Sequence, residues 1–142
     1  MNTSPIVDSE LDADIAKAVK DFCEQGYLLF DQGDYSAAIR QFYSAWTQLP
    51  KPQTRWQEAG WVLTALGDAY FAKGDFDNGN HALRSALHCP KAAGNPVIHL
   101  RLGQCLFEMN DRDGAREQFQ LVRDNGGDAL FNNEDPKYGA LG

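Results

Sequence analysis

The side chains in this sequence best suited to chemistry are its three histidines and three cysteines. His81 and His88 stand seven residues apart, which puts both on one face of a helix, and Cys89, His99 and Cys105 follow along the chain. A metal ion needs three or four converging ligands. Cys23, Cys89 and Cys105 form no C-x-x-C pair, and no compact ligand spacing occurs. Gly-rich phosphate loops and nucleophile elbows are absent as well. The 20 Asp and Glu residues include none set in an apolar run that would lift its pKa into the range of an acid–base catalyst. The expectation is therefore no metal, no cofactor and no enzyme, with surface histidines and core thiols. An odd number of unpaired cysteines reads as reduced thiols in a cytoplasmic protein.

Composition bounds what remains. The 142 residues suffice for one domain with a sizeable core, and 43% hydrophobic content suits a packed chain. No run of 18 apolar residues would span a membrane, and the polar, acidic start does not look like a signal peptide. A net charge of −7 argues against nucleic acid, whose recognition needs a basic stripe, and favours partners with basic character.

The elements that position any binding residues repeat three times. Gly26, Gly67 and Gly103 serve as origins. Twelve residues on stand Ala38, Gly79 and Ala115; sixteen on, Phe42, Leu83 and Phe119; nineteen on, Ala45, Ala86 and Val122. Seven residues after each origin come Gly33, Gly74 and Asn110, types that tolerate a left-handed backbone and so end helices. Each is followed by an Asp, at 34, 75 and 111, suited to cap the next helix. Three helix–turn–helix units follow.

The helices expected from this frame start with a loose tail over 1–8. A first helix over about 9–32, capped by Asp8 or Ser9, overshoots the repeat as an N-terminal extension. A partner helix follows over 35–49, stopped by Pro50 and Pro52. Thr54 with Gln57 makes a capping-box pattern, so the third helix starts near 55 and runs to Lys73. Then come 76–88, a helix from Asn95-Pro96 to about Met109, and 112–124. A short helix near 128–132 caps the last unit, and Pro136 argues against a long one. The repeats span about 19–52, 54–93 and 95–128 within a domain over 9–132, and 133–142 is a tail.

The order Leu-Gly, Tyr, Gly-Asp, Ala, Phe, Ala, Pro resembles the tetratricopeptide repeat, most closely in Leu66–Phe76. Gln25 departs from the usual Leu in the first copy, and Arg112 from the usual aromatic in the third. The resemblance implies an all-α solenoid: a short superhelix of three repeats with a concave groove lined by the first helix of each pair. Steps of −6, −3, +1 and +4 from the origins mark one helical stripe. They read Lys20, Cys23, Tyr27, Phe30; Trp61, Thr64, Asp68, Phe71; and Val97, Leu100, Gln104, Phe107. Phe30, Phe71 and Phe107 would form an aromatic row, widened by Tyr27 and Trp61. Packing between repeats accounts for such aromatics as readily as ligand contact does. Asp31, Asp68 and Glu108 add negative charge, and Arg101 is a lone positive group.

The function implied is noncatalytic. The groove would hold a peptide or helix of a partner protein, apolar with some basic residues. The role would be that of a chaperone, adaptor or immunity factor for a secreted bacterial protein. The Lys, Asn and Arg clamp with which some family members hold a C-terminal carboxylate is not reproduced, since Cys23 and Tyr27 stand on the stripe. The rival expectation is a structural homo-oligomer, a homodimer through Trp56 and Trp61 on the extended second-repeat helix.

Overall fold

The computed structural model describes residues 10–141. Six helices form three hairpins: α1 (Ala13–Asp31) with α2 (Tyr35–Gln48), α3 (Gln57–Lys73) with α4 (Phe76–Ala86), and α5 (Pro96–Glu108) with α6 (Arg112–Asp124). A short α7 (Pro136–Leu141) follows a 3-10 turn over Asp128–Asn133. The described residues contain no strand.

The hairpin turns share one chemistry. Gly33, Gly74 and Asn110 have φ of 80°, 86° and 66°. That left-handed residue lets the following N–H turn back onto the helix just ended: Asp34 donates to the Leu29 carbonyl, Asp75 to Tyr70 and Asp111 to Leu106, at 2.9, 2.8 and 2.9 Å. The same aspartates then open the next helix. Their Oδ1 atoms accept from the N–H groups of Ala37, Asn78 and Gly114. Asp75→Ala is expected to lower stability by about 1 kcal/mol in urea unfolding, the usual worth of a lost N-cap. An unchanged midpoint would mean that the turn holds without it.

The origin glycines occupy equivalent sites. A Cβ built on Gly26 would overlap the ring of Phe42, on Gly67 the side chain of Leu83, and on Gly103 the ring of Phe119. Phe42, Leu83 and Phe119 are fully buried. Each hairpin is thus drawn together at one point, where a bare backbone receives a large side chain from the second helix.

Both departures from the repeat pattern have physical reasons. Leu66 and Leu102 are buried, whereas Gln25 at the equivalent place is exposed, because no hairpin precedes α1 among the described residues. At the start of the second helices, Tyr35 packs edge-on to Phe30 at 5.2 Å and Phe76 lies 5.6 Å from Phe71. Arg112 instead sets its guanidinium 4.2 Å over Phe107, a cation–π contact in place of a ring pair.

Four expectations need correction. The first helix starts at Ala13, not near 9, and its cap is Asp12, whose Oδ1 accepts from the Asp14 N–H at 2.9 Å. Asp8 and Ser9 lie outside the described residues, and Leu11 turns onto the core instead of continuing the helix. The capping box at Thr54 does not form. Gln53–Arg55 make a 3-10 turn, and Trp56 takes the cap position of α3 without a side-chain cap bond. Burial of Trp56 decides this: it is 8% exposed, and its indole N–H donates to the Pro50 carbonyl at 2.8 Å. His88 is not on a helix, since α4 ends at Ala86. No long helix forms near Pro136 among the described residues, as expected; a six-residue helix starts there, since Pro at the first helical position loses no bond. The segment expected as a tail folds back, with Tyr138 buried between Phe107 and Phe119 at 5.2 and 6.1 Å.

Candidate functional site

The first helices carry the stripes, and the structure treats the two ends of the stack differently. At the N-terminal end, α1 and α3 diverge around a cavity of about 390 Å³. Val19, Cys23 and Tyr27 line one wall, Trp61 and Glu58 the other, with Lys20 and Glu24 beside them. Trp61 is 57% exposed and Tyr27 43%, so both stand at the surface of the hollow, and Tyr27 is braced edge-on at 5.1 Å by the buried Phe42. Trp61 also borders a smaller hollow with Thr64, Pro90 and Ile98. Burial pushes the Cys23 thiol up to about 11, so it stays protonated at neutral pH and serves as apolar wall rather than nucleophile or metal ligand.

Toward the C-terminal end the stripe is covered by the chain itself. Arg101 is no lone cation: its Nε donates to Asp68 Oδ1 at 2.9 Å and its Nη1 to Gln104 Oε1 at 2.7 Å and Glu134 Oε1 at 3.2 Å. Gln104 is fully buried and donates to the same Glu134 oxygen at 2.6 Å. Asp68, Arg101 and Glu134 thus form one chain of ion pairs that ties α3 and α5 to the segment after α6. Burial pushes the Asp68 carboxyl above its ordinary value, against the pull of Arg101. Glu108 is also taken: it accepts from the Tyr138 hydroxyl at 2.7 Å and pairs with Lys137 at 2.9 Å. Burial would raise its carboxyl, but these two hydrogen bonds outweigh that and hold it below the usual range.

The aromatic row is divided in the same way. Phe30 packs on Tyr35; Phe71 lies on Phe76 and under Arg101, whose guanidinium is 4.9 Å away; Phe107 is enclosed by Tyr138, Arg112 and Lys137. Leu100 is buried. The Thr64 hydroxyl donates to the Gly60 carbonyl of its own helix, and Asp31 is exposed at the end of α1. Of the eleven residues picked from sequence, the cavity therefore brings together Tyr27 and Trp61. Ala16, Val19, Glu24 and Glu58 were missed, although one more turn of each stripe toward its N-terminus reaches Ala16 and Glu58. Trp56 is buried, so a self-association surface built on Trp56 and Trp61 keeps only Trp61.

Among the described residues no three His, Cys, Asp or Glu side chains converge as a metal site. His99 is buried, with Nδ1 2.7 Å from Gln118 Oε1. No described helix is long and apolar enough to cross a membrane.

A tetratricopeptide-repeat family model matches residues 70–133, from the end of α3 through the third hairpin. No curated protein matches the chain. Among solved structures, the chain is similar to the Yersinia enterocolitica type III secretion chaperone SycD in complex with a peptide of the translocator YopD. The TM-score is 0.70 at 13% identity, over 88% of this chain and 89% of that one, a likeness of fold. The first hairpin lies outside the family match but repeats the glycine, turn and cap of the other two. Residues 70–133 thus match the tetratricopeptide-repeat family, and the chain as a whole shares the fold of a helical-repeat chaperone.

Proposed function

We propose that this protein is a noncatalytic adaptor or chaperone of the cytoplasm that holds an apolar segment of a partner protein against α1 and α3. The observation that carries the reading is the 390 Å³ cavity opening beside a tryptophan that is 57% exposed. A rigid aromatic left at the edge of an apolar hollow has a surface to offer and no internal partner, as interface anchors do. The likeness to SycD, solved with a peptide of its translocator, supports the reading and makes a segment of a secreted bacterial protein the first partner to try.

A photo-crosslinking amino acid at Trp61 should trap a partner segment in native lysate, while the same group at exposed Arg40 on α2 should not. Equal trapping from both positions, or none from 61, would reject this face. Tyr27→Ala with Trp61→Ala is expected to abolish capture and leave the helical circular dichroism intact. Each lost anchor is worth ~2 kcal/mol, about thirty-fold in affinity.

A further inference from the structure

We infer that Glu58 makes this groove selective for a partner segment carrying a lysine or arginine next to its apolar anchor. The inference rests on the peptide-binding reading above and adds the chemistry of the occupant. Glu58 Oε1 has less than 1 Å² of accessible surface and accepts no hydrogen bond. Other acidic side chains of this face are met from within the chain: Asp68 and Glu134 share Arg101, and Glu108 has Tyr138 and Lys137. A carboxylate with one oxygen shielded and without a donor is poorly compensated, and an ammonium or guanidinium entering the hollow that Glu58 lines would offset its charge.

The surroundings fit such a group. Val19, Cys23, Tyr27 and Trp61 offer apolar walls for the aliphatic stem of a lysine or arginine. A more open hollow adjoins, bordered by Glu10 and again by Glu58, so the carboxylate lies where the two meet. Across both hollows the ionisable lining is Glu10, Glu24 and Glu58 against Lys20, a net negative field in a chain of charge −7. A cation is favoured over an anion there, and a cation with an apolar body over a hydrated one.

The probes are 4-phenylbutylamine and its neutral counterpart 4-phenylbutanol, titrated into the full chain at about 0.15 M salt. Binding is followed by the NMR shift of the Trp61 indole N–H, assigned by its loss in Trp61→Phe. The amine should bind about ten-fold tighter than the alcohol. Glu58→Gln should bring the two together without weakening the alcohol, and Glu117→Gln, exposed on α6 and outside both hollows, should leave the preference in place. Equal affinities in the unmodified protein, or a preference that survives Glu58→Gln, overturn the role of Glu58 while leaving the groove as a peptide site. Failure of both probes to shift Trp61 at millimolar concentration overturns the cavity itself, and the proposed function with it.

Discussion

Gly67→Val is expected to lower the stability of this protein by about 3 kcal/mol, although glycine is the poorer helix former. Helix propensity alone predicts the opposite sign for a Gly→Ala change, a gain of roughly 1 kcal/mol. The contact decides between them. A Cβ at Gly67 would overlap the side chain of Leu83, which is fully buried and cannot swing into solvent. Overpacking of that kind costs about 1 to 3 kcal/mol for a methyl group, and valine adds two more carbons and a stiff χ1. Urea unfolding of Gly67→Val measures the loss. A second comparison isolates its cause: Gly67→Ala should destabilise the natural chain yet stabilise a Leu83→Ala background, where the opposing side chain is gone. If the sign does not reverse, the interlock between α3 and α4 is not what holds the hairpin.

The second large effect is electrostatic. Arg101→Leu leaves Asp68 and Glu134 facing a partly buried site without their shared cation, and should cost about 2 to 3 kcal/mol at pH 7. The deficit should depend on pH in a definite direction. Burial already raises the Asp68 carboxyl above its ordinary 3.8, so the folded state holds its proton more tightly than the unfolded state. Stability then falls as pH rises from 3.8 through the folded value. Without Arg101 the folded value climbs further and the penalty at neutral pH grows. On acidification the variant's carboxyl takes up its proton before that of the unsubstituted protein, so the variant should recover part of its deficit. Urea midpoints of both at pH 7 and 5 test this, and a deficit as large at pH 5 as at pH 7 would refute it.

What could be read from sequence, and what could not, follows from which contacts recur. The hairpins were legible because each marked position meets one steric demand three times: bare backbone at Gly26, Gly67 and Gly103, a left-handed turn at Gly33, Gly74 and Asn110, a capping carboxylate at Asp34, Asp75 and Asp111. Contacts made once leave no echo. Trp56 displaced a plausible capping box because a buried indole with a bond to Pro50 outweighs a side-chain cap at Thr54. Glu134 and Tyr138 gave no local sign that they would cover Gln104 and Phe107. For the site, the stripe located Tyr27 and Trp61 but was cut a turn short of Glu58.

The returning segment of Asp128–Leu141 has a consequence for how molecules meet one another. Modules that dock by one rule can in principle dock between chains as well as within one, and a head-to-tail union that never closes yields a fibre. By seating Glu134 on Arg101 and Tyr138 against Phe107, the protein fills its own last berth. Growth through that end would first have to displace this segment.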